Sequence, residues 1–436
     1  MKAEESVKNY QSERRMYANY VARNIKKICK EIGPRPAGSD KELAAQQWMA
    51  EDLKTSCDEV KIEEFKLHPA AFMGWVQVTI CCGVIATLLL FLTGLFKKID
   101  VPYATDIVNN YGQYFLIAAV ALMAIGIFFV VTEFLFYKET LDPFFPKKIS
   151  HNVIAVRKAS GETKRRIIFS GHCDSAPEWR FTYWGGPKLV VPAIGGGILG
   201  LLFSTGVCIA SLVLNSKGQA DNKALWIVTI VAACFIPLFL FCLLFYNPKR
   251  YVEGANDDLT GTLSSMAVPR FLQDNDIRLE NTEVMVVCTG SEEAGLRGAK
   301  AFCKAHAKEI LDDKNVETVY VGLDTVRDFD FMAIYHKDMT GLVHNDEDVS
   351  KLVYEAAKLE GYDVPLKTVS LGSTDAAAIT QAGLKGTSFA AMDPAPARYY
   401  HTRLDTSDNL DLKTIEAGVG ICLQTAFLFD EKGLNV

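Results

Sequence analysis

Four apolar segments, each about 23–26 residues long, divide this chain into alternating polar and apolar parts. They cover residues 72–96, 115–137, 189–214 and 224–246 and carry almost no charge. A helix that crosses the hydrocarbon core of a bilayer needs about 20 such residues, whereas buried core helices are rarely as long or as uniformly apolar. The segments therefore predict four transmembrane helices, and their occurrence in two pairs predicts two hairpins.

The remaining polar sequence, roughly 290 residues, alternates between predicted strands and helices and is long enough for one sizeable α/β domain. The predicted strands cover residues 59–66, 151–158, 165–170, 283–289, 317–323 and 386–392. The predicted helices cover residues 6–31, 40–54, 295–307, 349–360 and 412–429. A tight turn at residues 159–162 predicts that the second and third strands are antiparallel.

Metal-competent side chains occur at five places along this polar sequence. They are His172-Cys173-Asp174, Asn256-Asp257-Asp258, Glu292-Glu293, Asp324 and His401. Open α/β sheets place their sites at the carboxyl ends of strands, so the side chains that follow predicted strands are expected to lie close together. Zinc takes imidazole nitrogen and carboxylate oxygen, and two such ions about 3.5–4 Å apart need a carboxylate that bridges them.

Each of these motifs alone also has a structural interpretation. A lone His-x-Asp is often structural, a Glu-Glu pair often begins a helix, and Asp257-Asp258 in its glycine-flanked loop is a plausible turn and helix cap. Their joint occurrence in this order, each at a strand end or in a tight loop, favours metal-assisted hydrolysis.

The order of motifs resembles that of a known family. Residues 33–39, 171–175, 254–261, 292–298 and 400–402 are similar to the motifs of zinc-dependent exopeptidases of the bacterial leucyl aminopeptidase and aminopeptidase Y type. The resemblance covers the whole polar part of the chain and leaves out the apolar segments. It implies a single zinc-exopeptidase-like α/β domain with a mixed central sheet flanked by helices, into which the four transmembrane helices are inserted as two hairpins.

The resemblance also implies a ligand set for two Zn²⁺ ions. His172 and Asp324 would bind one ion, Glu293 and His401 would bind the other, and Asp257 would bridge them. The affinity order of divalent metals does not choose zinc over Mn²⁺ or Co²⁺, so both remain possible at this donor set.

Two further acidic residues receive roles from the same resemblance. Glu292 would be the general base that activates a metal-bridging water, because it is the glutamate that is not a ligand. Asp174 would orient the imidazole of His172, and Asp405 is expected to act similarly near His401.

We therefore expect a membrane-embedded di-zinc metallopeptidase, and the resemblance favours an aminopeptidase that hydrolyses N-terminal residues of peptides near the membrane surface. The alternatives are a carboxypeptidase, a glutaminyl-cyclase-like activity, or a non-catalytic membrane receptor or scaffold on the same fold. The expected partners are a peptide substrate and the lipid bilayer. A net charge of −6 gives no indication of nucleic acid binding, and the oligomeric state is not indicated.

The predicted domain organisation follows from the two insertions. The catalytic domain comprises residues 1–71, 149–178 and 251–436, and the hairpins with their flanks comprise residues 72–148 and 179–250. Eight lysines and arginines flank the segments on the catalytic-domain side, against four at the hairpin tips. Excess positive charge stays on the cytoplasmic side, so we expect a multi-pass protein of the cell membrane with a cytoplasmic catalytic domain.

Overall fold

The computed structural model describes residues 2–99 and 101–436, which form two compact units. Unit 1 consists of Met1–Pro69, Pro146–Glu178 and Pro248–Val436, and unit 2 consists of Ala70–Phe145 and Trp179–Asn247. The chain therefore leaves unit 1 twice, and each excursion contributes one part of unit 2.

A mixed sheet forms the centre of unit 1. The strands of the chain are β1 (Glu59–Leu67), β2 (Lys148–Arg157), β3 (Arg165–His172), β4 (Pro177–Trp179), β5 (Tyr246–Tyr251), β6 (Thr282–Thr289), β7 (Glu317–Val326), β8 (Met332–Asp338), β9 (Val343–His344), β10 (Leu366–Thr368) and β11 (Gly386–Ala391). Among the described residues, nine strands form one sheet in the order β1-β2-β6-β3-β7-β11-β8-β10, with β9 paired to β8, and β4 and β5 form a separate pair. β6, β3, β7 and β11 are parallel to one another. β1 and β2 run antiparallel to their neighbours, and β8 is antiparallel to β11 but parallel to β10, so the predicted mixed sheet is confirmed.

The turn predicted at residues 159–162 connects strands that run in opposite directions but are not neighbours. β6 lies between β2 and β3, antiparallel to the first and parallel to the second. The reason is burial: Val284, Val286 and Val287 of β6 are almost fully buried and lie on both faces of the sheet, which requires an interior position. The sequence pattern also gave no prediction of β8, β9 or β10.

Helices cover both faces of this sheet. The helices of the chain are α1 (Ala3–Ser6), α2 (Tyr10–Glu31), α3 (Asp40–Leu53), α4 (Ala71–Leu95), α5 (Pro102–Phe129), α6 (Arg180–Gly185), α7 (Pro187–Ser216), α8 (Lys223–Ala233), α9 (Ile236–Cys242), α10 (Leu259–Asp274), α11 (Arg297–Asp312), α12 (Glu347–Leu359), α13 (Asp375–Gln381) and α14 (Leu412–Lys432). Ile167 and Phe169 of β3 belong to the core cluster that contains Phe271 of α10, whereas Ile168 belongs to the cluster that contains Phe302 of α11. Successive side chains of the strand thus enter opposite cores, as the two-residue period of a strand requires.

The start of α10 approaches β3 very closely at Gly171. A β-carbon at this position would lie 2.4 Å from the backbone nitrogen of Thr262 and 2.7 Å from Oδ2 of Asp258. The next residue, His172, donates its backbone N–H to the same carboxylate oxygen at 3.0 Å. The absence of a side chain at Gly171 therefore allows the loop before α10 to lie against the carboxyl end of β3.

The chain leaves and re-enters unit 1 at this same edge of the sheet. Leu67, at the end of β1, pairs with Lys148 at the start of β2. Val153 pairs with Cys288, one residue before the end of β6, so residues 148–151 extend beyond the carboxyl end of that strand. Within unit 1, the first excursion of the chain thus begins and ends at the carboxyl edge.

Apolar helices dominate unit 2. In the described parts of the chain, five helical segments are long and apolar enough to cross a membrane by length and composition. They are Ala71–Leu95 (α4), Pro102–Leu135 (α5 and the residues directly after it), Pro187–Ser216 (α7), Lys223–Cys242 (α8 with α9) and Leu412–Lys432 (α14). The last is α14, whose most apolar window is 83% buried, against 17–44% for the other four. Because α14 contributes to the main core of unit 1, we assign it to that core and treat the four helices of unit 2 as the candidate spans.

Candidate metal centre

The carboxyl edge of the sheet brings together all six residues that the sequence analysis proposed as metal ligands or base. His172 ends β3, Asp324 lies near the end of β7, and Glu292 and Glu293 begin a 3₁₀ turn after β6. Asp257 lies in the loop before α10, and His401 lies in the loop between β11 and α14. His172, Asp257 and His401 are buried, with exposed fractions of 3–7%.

Two groups of these residues share the carboxylate of Asp257. Donor atoms of His172, Asp257 and Asp324 lie within 4.8 Å of one another, and so do those of Asp257, Glu293 and His401. His172 Nε2 is 3.1 Å from Asp257 Oδ1, and His401 Nε2 is 3.0 Å from Asp257 Oδ2 and 3.1 Å from Glu293 Oε1. Each oxygen of Asp257 therefore faces a different histidine.

Glu292 takes part in only one of the possible donor groups, with His172 and Glu293. Its Oε2 lies 3.9 Å from His172 Nε2, farther than Asp257 from the same nitrogen. Its side chain is 11% exposed, so the carboxylate is largely removed from water. Glu292 is thus beside the two groups that share Asp257 without belonging to either.

The buried carboxylates interact unfavourably with each other. Burial raises the pKa of Glu292 well above its usual range, and burial followed by the charge of Asp257 raises the pKa of Asp324 to about 7. Burial also raises the pKa of Glu293. For His401, burial acts to lower the pKa, but Glu293 and Asp257 outweigh it and raise the pKa to about 10. Four carboxylates and two imidazoles in a region of low dielectric form a site that divalent cations would neutralise.

Asp174 lies beside the first histidine and binds the backbone of the glutamate pair. Its Oδ1 is 3.4 Å from Nδ1 of His172, and its predicted role in orienting that imidazole stays a prediction. The same carboxylate accepts hydrogen bonds from the backbone N–H groups of Glu292 at 2.9 Å and Glu293 at 3.1 Å. The sequence analysis did not predict these two bonds, which fix the turn that carries Glu292 and Glu293.

Asp258, which the sequence analysis considered only as a turn and helix cap, makes several further contacts beside the site. It does cap α10, since Gly261 N–H donates to its Oδ1 at 2.9 Å. It also accepts hydrogen bonds from the backbone of His172 at 3.0 Å and of Thr325 at 3.0 Å. Asp258 thus connects the strand ends that carry the first histidine and Asp324. Its place directly after Asp257 was the available sequence signal.

Asp405 holds the loop of the shared carboxylate. It accepts hydrogen bonds from the backbone and side chain of Asn256, at 2.7 and 2.8 Å, and from the backbone of Asp257 at 3.2 Å. Burial, and next the charge of Asp257, raises the pKa of Asp405 to about 7. The predicted role of Asp405 near His401 stays a prediction. The hydrogen bonds above join the Asp405 carboxyl group to the loop that carries Asp257.

Comparison with known proteins relates this arrangement to peptidases. The family model of peptidase family M28 matches residues 244–426, a range that contains Asp257, Glu292, Glu293, Asp324 and His401. No curated protein sequence matches the chain significantly.

Solved structures match almost the whole chain at low sequence identity. An aminopeptidase from Aneurinibacillus sp. strain AM-1 is 14% identical, with 96% of this chain and 95% of that chain covered and a TM-score of 0.53. A zinc aminopeptidase from Bacillus subtilis is 14% identical, with 95% of both chains covered and a TM-score of 0.52. A glutaminyl cyclase from Fimbriiglobus ruber is 12% identical, with 94% and 95% covered and a TM-score of 0.53. The fold is therefore similar to that of zinc aminopeptidases and glutaminyl cyclases.

The raised carboxylate pKa values predict how pH and zinc affect stability. Asp324 and Asp405 ionise near pH 3.8 when unfolded and near pH 7 when folded without metal. The folded state therefore binds more protons between these values, and its stability falls as pH rises through this window. Zinc stabilises the ionised carboxylates, so the zinc-dependent gain in melting temperature should be larger at pH 7 than at pH 5.

The measurement is the melting temperature of the purified protein, with zinc and with a chelator, from about pH 4.5 to about pH 7.5. This range covers most of the interval between the unfolded and folded pKa values of the two carboxyl groups. Asp257→Asn is the control, because loss of the shared carboxylate should remove most of the zinc-dependent gain. Equal gains at pH 5 and pH 7 would contradict the prediction.

Proposed function

We propose that this protein is a membrane-embedded metallopeptidase that uses two zinc ions. Its activity is that of an aminopeptidase, which hydrolyses N-terminal residues of peptides near the membrane surface. The observation that carries the proposal is the shared carboxylate of Asp257, with one oxygen toward His172 and the other toward His401. A carboxylate between two donor groups is the arrangement that a pair of divalent ions needs.

The ligand assignment follows the two donor groups. His172 and Asp324 would hold one ion, Glu293 and His401 would hold the other, and Asp257 would be shared between them. All five donors are present, whereas one catalytic zinc typically uses only three protein ligands. Mn²⁺ or Co²⁺ would fit the same oxygen and nitrogen donors.

Glu292 supplies the acid–base chemistry in this proposal. Zinc bound at the centre would polarise the scissile carbonyl and acidify the attacking water. Glu292 takes the proton from that water and gives it to the leaving amine, and its raised pKa suits a group that must hold a proton transiently. Asp174 fixes the backbone of Glu292, so the carboxylate starts from a defined position.

The acidic donor set favours an aminopeptidase over a carboxypeptidase, and its completeness favours an enzyme over a receptor or scaffold. The free α-amine of a peptide carries a positive charge, and the centre contains four carboxylates for two imidazoles. A carboxypeptidase would bring a negatively charged carboxylate to the same place. A receptor or scaffold has no need for a complete ligand set with an extra glutamate beside it, and all six residues are present here.

The direct test of this function is to find which end of a peptide shortens. The zinc-loaded protein is incubated with a mixture of peptides of known sequence, and the products are identified by mass spectrometry. We expect stepwise loss of N-terminal residues, unaffected by amidation of the C-terminus and abolished by N-acetylation. Asp257→Asn is the inactive control. Loss of C-terminal residues, or cyclisation of N-terminal glutamine without hydrolysis, would replace the aminopeptidase with the corresponding alternative.

Substitution of the two neighbouring glutamates should separate the base from the ligand. Glu292→Gln keeps the size of the side chain but removes the base, so turnover should fall by about 10² or more while zinc content stays near two ions per chain. Glu293→Gln should lose zinc as well as activity. Both quantities are measured on the same preparations, by peptide turnover and by elemental analysis. Wild-type turnover in Glu292→Gln would show that another group is the base.

We also propose that the four apolar helices of unit 2 span the cell membrane and that unit 1 is cytoplasmic. Flanking charge supports this orientation. On the unit 1 side lie Lys66, Lys138, Lys147, Lys148, Arg180, Lys188, Lys249 and Arg250, and at the hairpin tips lie Lys97, Lys98, Lys217 and Lys223. Excess positive charge on the unit 1 side favours its retention in the cytoplasm.

Protease accessibility measures this orientation. Protease added to intact cells should leave unit 1 uncut, and permeabilisation of the same cells should make it cleavable, which serves as the control. Rapid cleavage within unit 1 before permeabilisation would reverse the proposed orientation.

A further inference from the structure

Two fully buried charged side chains lie in the segment between α2 and the first turn of α3, outside the metal-binding groups. This segment, residues 33–42, is called the N-terminal brace below. Arg35 is 0% exposed and Glu42 is 1% exposed. Burying an isolated charge is expensive, so a buried charge is retained only where its hydrogen-bonding groups are used. The partners of these two side chains indicate what the brace does.

Arg35 connects two loops that carry proposed zinc ligands. Its Nε donates to the carbonyl oxygen of Cys173 at 2.6 Å, directly after the first histidine ligand. Its Nη1 donates to the carbonyl of Glu253 at 2.7 Å, and its Nη2 to that of Gly254 at 2.9 Å, three residues before the shared carboxylate. The backbone of Arg35 also exchanges hydrogen bonds with Ser175, accepting from its N–H at 3.0 Å and donating to its Oγ at 2.9 Å. The planar guanidinium thus holds both loops at once.

Glu42 acts on the third loop. Its Oε1 accepts hydrogen bonds from the backbone N–H of Ser291 at 2.7 Å and from the Ser291 hydroxyl at 2.9 Å. Its Oε2 accepts from the backbone of Gly38 at 2.7 Å and from the Ser150 hydroxyl at 2.8 Å. Ser291 has a left-handed backbone, with φ of 56°, and directly precedes the proposed base. Glu42 therefore stabilises an unfavourable backbone conformation of Ser291, at the start of the turn that carries Glu292 and Glu293.

Glu42 and Asp174 together bind three successive backbone N–H groups. Ser291 donates to Glu42, whereas Glu292 and Glu293 donate to Asp174. Glu292 and Glu293, the proposed base and ligand, thus project from a backbone whose N–H groups are bound by two buried carboxyl groups. Rotation of this turn would break several charge-assisted hydrogen bonds at the same time.

We propose that the N-terminal brace positions the catalytic centre: Arg35 sets the spacing of the loops that carry His172 and Asp257, and Glu42 sets the orientation of the Glu292–Glu293 turn. The inference rests on the proposed function for its effect on turnover, but not for its effect on the turn itself. Arg35 and Glu42 are positioning residues, because they act through backbone groups of the residues that would touch metal and substrate. A displacement of about 1 Å at such a site can lower a rate about 10²-fold.

A matched pair of isosteric substitutions tests the role of Glu42. Glu42→Gln replaces one hydrogen-bond-accepting oxygen of a buried carboxyl group with an NH2 group, which cannot accept from the same donors. Glu360→Gln makes the same change at a carboxyl group in unit 1 whose side chain is 3% exposed and which accepts hydrogen bonds from Tyr10 at 2.8 Å and Arg14 at 2.5 Å. In zinc-free protein, hydrogen exchange of the backbone amides of residues 291–293 should become about 10-fold faster in Glu42→Gln and stay unchanged in Glu360→Gln. This measurement requires no activity.

The zinc-loaded proteins provide the second readout. For Glu42→Gln, kcat should fall about 10-fold or more with KM changed less than about 2-fold, because the turn moves while substrate binding groups stay in place. With Co²⁺ as the probe metal, the visible absorption spectrum should shift in Glu42→Gln and match the wild type in Glu360→Gln. Arg35→Lys, which keeps the charge but not the planar fork, should bind zinc at least about 10-fold more weakly.

The outcomes separate the brace from the proposed function. Unchanged exchange at residues 291–293 in Glu42→Gln would overturn the brace, whatever the activity of the wild type. Faster exchange in a protein whose wild type neither binds zinc nor hydrolyses peptides would support the brace and refute the peptidase. If Glu42→Gln does not fold, Ser291→Ala is the substitute, because it removes the hydroxyl donor alone. It should accelerate exchange at the turn by a smaller factor, and no acceleration would overturn the proposal.

Discussion

The carboxylate of Asp257, with one oxygen toward each of two buried imidazoles, is the constraint on which the organisation of unit 1 depends. His172 and His401 lie 3.1 Å and 3.0 Å from its two oxygens, although 229 positions separate them in the chain. Such a geometry requires loops from distant parts of the sequence to come within hydrogen-bonding distance of one another. Asp258 fixes the loop of Asp257 to the end of β3, and Asp405 fixes it from the side of the His401 loop. Side chains that hold the backbone are therefore as necessary as the donors themselves.

The supporting carboxylates share one physical device. Glu42, Asp174, Asp258 and Asp405 are buried, and each accepts at least two hydrogen bonds from backbone N–H groups. Backbone donors at strand ends and helix starts have no partner within their own element, so the oxygens of a buried carboxyl group satisfy them. Arg35 is the complementary case, because its guanidinium binds backbone carbonyls of the same loops. The centre is thus surrounded by buried polar side chains that define loop positions.

Local pattern was enough to predict most regular elements of unit 1. The strands predicted at residues 59–66, 165–170 and 283–289 correspond to β1, β3 and β6, and α3 begins at Asp40, the predicted start of that helix. The position of β6 between β2 and β3 was not predictable in this way, because pairing between distant strands depends on burial of both faces and not on a turn signal. The short strands β8, β9 and β10 were missed because two to seven residues carry too little periodicity to distinguish a strand from a loop.

The sequence by itself determined the chemistry that is available: two histidines, an excess of carboxylates at strand ends, and four apolar segments long enough to cross a bilayer. Residue type and spacing are local properties, so they can be read without coordinates. Only the tertiary structure decided which groups each carboxylate contacts. Asp257 and Asp258 are chemically equivalent neighbours, yet one lies between the two histidines while the other binds the backbone of β3 and β7. Likewise, the burial of Arg35 and Glu42 against three loops follows only from how distant segments pack.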